Sequence, residues 1–509
     1  MNWLNQIVDE AIRQHPEGEI IVSSGVSPSG KYHLGTLREI LTAEVVMLEL
    51  KRRGRQSRHL HIVDDHDVFR KVPVGLPEEY AQYLGKPLCD VPAPVGEGSY
   101  ADYYLGDMLT AAKKLHLEME VIRSNDNYKQ GMFVPAIEKT MAQLDDIRRI
   151  LAEVSGRQLD EQWSPIQVLE EGRLKNRPFK AIDTDQKIIT YVNKDGQDQQ
   201  ISYAHGDVKL NWRLDWPARW WLLGVTVEPF GRDHATKGGS YDTGKELVRD
   251  IFGATAPIPV PYNFINRTGE TKKMSKSAGE TITASELLDL LPSELVRYFI
   301  FRAAPDKLLF FDEGEALMHL FDDFAALLAN PQKTDSETQL VELCMHGVEQ
   351  PTVSNIPFTH LVASYQASLK DADKTIEVIK RTEHAETATR DAEIIKNELR
   401  FIDVWLQKRA PADVTFSLTE TLDVAQFSEA EQNFLRLLGE KVVQAPEDAD
   451  GAWFHDAIYS LKDELSMQPK EMFSVLYRAL IGKNSGPRAG WFLSILPRDW
   501  LIARLSLQS

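Results

Sequence analysis

The stretch from Glu19 to Asp67, EIIVSSGVSPSGKYHLGTLREILTAEVVMLELKRRGRQSRHLHIVDDHD, decides the fold. It opens on a short apolar run closed by small residues, the pattern of a buried strand. Pro28 and Gly30 then break the chain into a turn. Leu37, Ile40, Leu41, Ala43, Val45 and Leu48 follow helical spacing, and Gly54 marks the end of that helix. HLHIVDDHD is a second strand with an acidic C-terminal end. Strand, helix and strand at this spacing form a βαβ unit, which predicts an α/β domain around a parallel sheet.

Outward from that unit the pattern changes several times. Pro and Gly are dense between Val72 and Ser99, the mark of an irregular insertion, and residues 100 to 155 have helical character. From Arg157 to Asp207 the chain is polar with short β-like pieces such as KIITYV, which predicts a small inserted subdomain. VTVEPFGRDHA and PIPVPYNFI return to strand. From Ala316 onward the pattern is helical, as in Ile395, Leu399, Ile402 and Leu406. The expected organisation is therefore residues 1–155 and 208–315 as two halves of one Rossmann-like catalytic domain, 156–207 as the insertion, and 316–509 as an all-α C-terminal domain.

Composition limits the function classes. Lys and Arg number 58 against 76 Asp and Glu, a net charge of −18. That excludes a generally basic nucleic-acid binder, but not a nucleic-acid enzyme, which needs only a local basic surface. Cys89 and Cys344 are the only cysteines. A disulfide framework and a Cys-rich zinc module are both excluded, and a reducing compartment fits. No run approaches the ~18 apolar residues of a membrane span. MNWLNQIVDEAIRQHP reads as an amphipathic surface helix, so the expectation is a soluble cytoplasmic protein with no membrane partner.

Two motifs carry the chemistry. GVSPSGKY begins like a phosphate-binding P-loop, but Tyr32 stands where Ser or Thr must hold Mg²⁺. The same stretch continues as His33-Leu34-Gly35-Thr36, between the first strand and the helix. A helix N-terminus there offers N–H groups and positive potential to phosphate. His33 and Thr36 can donate hydrogen bonds, and Gly35 leaves room for a purine. Lys273-Met274-Ser275-Lys276-Ser277 lies in a Gly- and Ser-rich segment of the second half, where a charge run is otherwise plain solvated surface. Two lysines there suit the gripping of a triphosphate as its charge redistributes.

Other positions keep two readings. Gly231-Arg232-Asp233-His234 follows a strand, so Asp233 either accepts from ribose hydroxyls or caps the next helix. Asp64, Asp65 and Asp67 end the second strand. They can receive a substrate ammonium or a metal, or Asp67 can pair with Arg70 or Lys71. Trp212, Trp216 and Trp220 are spaced as core, interrupted by Pro217. Lys483, Arg488, Trp491 and Phe492 offer a basic and aromatic set for stacking bases, or a hairpin that packs two helices.

Together, in this order, His-Leu-Gly-Thr and Lys-Met-Ser-Lys-Ser resemble the signatures of class I aminoacyl-tRNA synthetases. GVSPSGKYHLGTLRE, DDHDVFRKVP, LPEEYAQYLGKPL, WRLDWPARW, GRDHATKGGSYDTG and GPRAGWFL look like the class I lysyl-tRNA synthetase family, from about residue 20 to 492. The resemblance implies lysine–tRNA ligation with L-lysine, ATP carrying Mg²⁺, and tRNA(Lys), by a monomer whose helical domain binds the anticodon. It implies catalysis by His33, Thr36, Lys273 and Lys276. ATP binding falls to Ser27, Pro28, His33, Gly35, Thr36, Gly231, Asp233, His234, Lys273, Met274, Ser275 and Lys276. Lysine binding falls to Gly25, Ser27, Asp64, Asp65, Trp216, His234 and Tyr262, and tRNA binding to Arg488, Trp491 and Phe492. Members of that family commonly carry Cys-x-x-Cys pairs in the inserted subdomain. This one has no Cys between WSP and KLNW, so no structural zinc is expected.

Overall fold

The structure is a computed structural model that describes residues 1–156, 159, 163–268, 282–447 and 449–508. These divide into two compact units. One comprises Met1–Leu288, Val296–Phe311 and Thr334–Gly347; the other comprises Asp289–Leu295, Asp312–Lys333 and Val348–Ser509.

The first unit is built on strands β1 (Ile20–Val26), β2 (Ser57–Val63) and β3 (Glu120–Arg123). Six strands follow: β4 (Ile166–Glu170), β5 (Arg173–Asn176), β6 (Phe179–Asp183), β7 (Ile188–Val192), β8 (Asp198–Ser202) and β9 (Val208–Leu210). The chain then returns to the main sheet with β10 (Val227–Gly231) and β11 (Ile258–Tyr262). The main sheet runs β11-β10-β1-β2-β3, parallel throughout. In chain order this is the 3-2-1-4-5 arrangement of a doubly wound fold, and its order reverses between β1 and β10.

The helix Leu34–Arg52 crosses from β1 to β2. Fifteen of its residues are buried, among them Arg38, Glu44 and Glu49, so it is a core helix rather than an amphipathic one. Its buried acids are satisfied locally. Glu44 meets His59 Nδ1 at 2.6 Å and accepts the Glu118 amide at 2.6 Å, and Glu49 takes Arg52 and Arg53. The helix Asn2–Gln14 buries Leu4, Val8 and Ala11.

Four expectations change in detail. Residues 100–155 are mostly helical but contain β3, a four-residue edge strand too short to leave a periodic signal. The insertion keeps β structure through β9, as two three-stranded antiparallel sheets, β5-β4-β9 and β6-β7-β8. Pro217 does not break the tryptophan stripe, because Trp212–Leu223 is one helix with the proline inside it. The domain boundary is not a single cut near 315. Thr334–Gly347 belongs to the first unit, where Gln339 donates to Asn5 at 2.9 Å and the Cys344 carbonyl accepts from Arg297 at 2.9 Å.

The second unit is helical. Phe434, Leu435, Leu438, Phe454, Leu476, Leu480, Phe492, Leu501 and Leu505 belong to its core. The helix Ala392–Lys408 buries Ile395, Leu399, Ile402 and Trp405. The stripe therefore ends on Trp405 rather than Leu406. The indole packs edge-on to Phe358 and donates to the Glu313 carbonyl at 2.5 Å.

Candidate active site

A cleft of about 900 Å³ opens beyond the C-terminal ends of β1 and β10, where the strand order reverses. Ser27, Ser29, His33, Gly35, Thr36, Gly231, Asp233, His234 and Tyr262 line it. Parallel sheets place ligands at such a switch point because two neighbouring crossover connections diverge there.

His33 has extended backbone and caps the helix that starts at Leu34. Its Nδ1 accepts the Thr36 amide at 3.3 Å. With Nδ1 accepting, the neutral ring carries its proton on Nε2, a donor suited to a phosphate oxygen. Gly35 is required by proximity: a Cβ there would lie 2.9 Å from His33 Cε1 and 3.0 Å from Nδ1. The His33 backbone also pairs with Thr283 in an isolated bridge, and the Ala284 amide donates to the Tyr32 carbonyl at 2.9 Å. Lys273, Met274, Ser275 and Lys276 lie outside the described residues. Their segment, 269–281, departs after β12 (Ile265–Arg267), which pairs with β13 (Leu309–Phe311), and rejoins one residue before Thr283. Ile265 lines the cleft. The described residues that flank it thus include Ile265 in the cleft lining and Thr283 paired with His33.

At the far wall, Gly231 has the same necessity as Gly35. A Cβ there would sit 2.6 Å from the Asp233 carboxylate. Asp233 is exposed and His234 half-buried, with the His234 ring 5.3 Å from Trp212 and 5.7 Å from Trp216. Trp212, not Trp216, faces the cleft. Trp216 is stacked behind it at 5.2 Å and donates through Nε1 to Glu228 at 3.1 Å. Glu228 also receives the Trp220 indole and the Ser23 hydroxyl. Burial, only partly offset by these donors, pushes its carboxyl up to about 7.

The aspartates at the end of β2 divide. Asp64 is held by Arg219 and accepts from Ser124 at 2.9 Å. Asp65 takes Arg123 at 2.6 Å and the Asn125 amide at 2.8 Å. Both are buried and neither lines the cleft, and this placement counts against their reading as ammonium ligands. Asp67 does line it, and pairs with Lys209 at 3.3 Å rather than with Arg70 or Lys71. Lys209 also reaches Asp215 at 3.0 Å, and Asp215 accepts from Tyr128 at 2.7 Å and from Arg219. Burial opposes the Asp215 charge, yet Arg219 and Lys209 hold the carboxyl down at about 2.

Glu39 is the residue that pattern reading passed over. It lines the cleft, accepts the Gly25 amide at 2.8 Å and the Tyr262 hydroxyl at 2.5 Å. It stands three residues after Thr36 and four after Gly35, so helical spacing alone puts it on their face. Arg70 and Lys71, both exposed, add cations to the wall. Gly25 is thus a backbone donor beside the cleft, and neither it nor Pro28 is part of the lining.

In the helical unit, Phe492 is fully buried against Phe416, which corrects its reading as a base-stacking side chain. Trp491 is half-buried and stacks on His360 at 4.7 Å; Arg488 is exposed.

The family described as tRNA synthetases class I (K) matches residues 1–350. The chain belongs to the class I lysyl-tRNA synthetase family. It is 35% identical to lysine–tRNA ligase 1 of Methanosarcina acetivorans, over 99% of this chain and 98% of that protein. It is 34% identical to a lysine–tRNA ligase of Archaeoglobus fulgidus, over 99% of each. The value is 32%, over the whole of both chains, for one of Pyrococcus horikoshii. Among solved structures, a glutamate tRNA ligase from Elizabethkingia meningosepticum aligns over 96% of this chain and 98% of its own, at 12% identity and a TM-score of 0.44.

Proposed function

We propose that this synthetase is a lysine–tRNA ligase that activates lysine with ATP and transfers it to the terminal adenosine of tRNA(Lys). The observation that carries the reading is the switch-point cleft, which His33, Gly35 and Thr36 line and where His33 pairs with Thr283, close in sequence to Lys273 and Lys276. The lysine carboxylate attacks the α-phosphate of ATP, and pyrophosphate leaves. A 2′-hydroxyl of the tRNA then attacks the acyl carbon and AMP leaves. A carboxylate is already nucleophilic, so the first step needs positioning and stabilisation of phosphate charge rather than a general base.

His33 and Thr36 donate to the phosphates, Ser27 and Gly231 leave room for the nucleoside, and Asp233 accepts from the ribose. Mg²⁺ enters with ATP. Among the described residues Glu39, Asp67 and Asp233 are the carboxylates on the cleft wall. Glu39 and Asp67 replace Asp64 and Asp65 as partners for the lysine ammonium groups, with Trp212 and Tyr262 alongside the methylene stem. No helix among the described residues is long and apolar enough to cross a membrane. The reading places a monomer in the cytoplasm, with Arg488 and Trp491 toward tRNA.

Aminoacylation of total tRNA with each of the twenty amino acids tests the assignment. Only lysine should be charged appreciably, and preferential charging of glutamate or glutamine would overturn it. Lys276→Ala tests the motif. A lysine that closes on the five-coordinate phosphate contributes mainly in the transition state, so its loss should slow adenylate formation by about 10²–10³-fold. Lysine and tRNA binding should change far less, and Lys276→Arg should not fully rescue. Pre-steady-state rates with tRNA present decide it.

A further inference from the structure

His360 and His384 are 24 residues apart in the chain, yet His360 Nδ1 and His384 Nε2 lie 3.2 Å from each other. A Glu383 carboxylate oxygen is 3.8 Å from the same His384 nitrogen. The three ligand atoms all fall within 4.8 Å of one another. We propose that His360, Glu383 and His384 form a site for a borderline divalent transition cation of the Zn²⁺ class.

The geometry of the donors supports this. At metal–nitrogen distances of about 2.05 Å, a nitrogen pair 3.2 Å apart subtends an angle of about 100° at the metal, close to tetrahedral. Ligand atoms around a tetrahedral ion at such distances lie about 3.4 Å apart, so the carboxylate must move in by up to about 1.4 Å. Glu383 is exposed and has the freedom to do so. Two imidazoles and one carboxylate suit Zn²⁺ or Co²⁺ and not Mg²⁺ or Ca²⁺, which take oxygen ligands.

The histidines are held in place before any ion arrives. His360 sits in the first turn of the helix Phe358–Ala367, its ring flat against Trp491 with planes 16° apart. His384 caps the helix Ala385–Arg390, and its amide donates to the Thr382 hydroxyl at 3.2 Å. Asp322 adds negative potential and Arg488 opposes it. Three protein ligands leave a fourth position for water. This differs in kind from the cysteine zinc site whose absence the sequence predicts.

The test uses the full-length protein, stripped with chelator and titrated with CoCl₂, then ZnCl₂. One Co²⁺ per chain should bind with the visible absorption of a four-coordinate ion, and Zn²⁺ should displace it. His384→Ala, which leaves Trp491 untouched, should weaken binding by about tenfold or more. Glu383→Gln, at an exposed position, keeps the fold in hand should His384→Ala fail to fold, and should weaken binding several-fold. Absence of stoichiometric Co²⁺ binding would overturn the proposal and leave the pair as an imidazole–imidazole hydrogen bond. Binding that is equal in wild type and in either variant would overturn it too, by placing the ion elsewhere.

Discussion

Gly35 and Glu228 show how single positions set the site. At Gly35 the constraint is distance. An added Cβ meets the His33 ring at 2.9 Å, so Gly35→Ala must turn the imidazole away from the Thr36 amide. Adenylate formation should fall by about 10²-fold, the scale of a misplaced reacting group. The thermal midpoint should stay near wild type, because the helix itself accepts alanine. A large loss of stability with normal activity would contradict this. At Glu228 the constraint is charge. Its carboxyl titrates near 7 in the native state and near the usual 4.5 when unfolded. Between those values the native protein binds a proton that the unfolded chain has lost, so stability falls as pH rises through the window and levels above it. The full loss is about 3 kcal/mol. Glu228→Gln removes the titration, so the urea midpoint of the variant should gain on wild type from about pH 5 to about pH 7. A constant difference across that range would mean that Glu228 is ionised throughout. The Gly35 constraint lies within the His-Leu-Gly-Thr motif, but that of Glu228 cannot be read from a local pattern, for its partners are 8, 12 and 205 residues away.

The strands, helices and turns around the cleft were legible to different depths. The βαβ unit from Glu19 to Asp67 was plain because its core helix and flanking strands carry long apolar runs. β3 was hidden among helices, since four residues at a sheet edge have too few buried positions to show a period. The acidic end of β2 was seen as a cluster, but the sequence could not assign each carboxylate. That depends on Arg219 and Lys209, which β9 and the helix Trp212–Leu223 bring to it. These tertiary ion pairs are the joint between insertion and sheet, and they give a contrast. Arg219 is buried between Asp64 and Asp215, so Arg219→Met strands two buried carboxylates and should cost about 3–5 kcal/mol. Arg149 pairs with Asp146 and Glu153 on the surface, with all three side chains more than half exposed. Arg149→Met should leave the unfolding midpoint where it is. Equal effects of the two substitutions would show that the buried network is not under electrostatic control.

Across the whole molecule, helix-rich sequence after residue 316 did announce a second unit, but not where the chain crosses between the two. Thr334–Gly347 returns to the first unit through Gln339, Cys344 and His346, contacts that no periodicity encodes. Two compact units predict unfolding in more than one step. The helical unit offers a selective lesion. Gly490 on the helix Ala489–Ile495 faces the helix Gly451–Tyr459 so closely that a Cβ would lie 2.2 Å from the Gly451 carbonyl oxygen. Backbone cannot yield as a flexible side chain can, so Gly490→Ala should destabilise that unit by about 3 kcal/mol or more. Saturating ATP and lysine act on the other unit. At about one hundred times Kd they stabilise the unit that holds the cleft by about 2.7 kcal/mol. Calorimetry of wild type and Gly490→Ala, with and without ligands, separates the two effects. The substitution should lower one transition and the ligands should raise the other. A single transition that moves with both would show that the two units unfold as one cooperative block, with the cost of the glycine contact shared by the cleft.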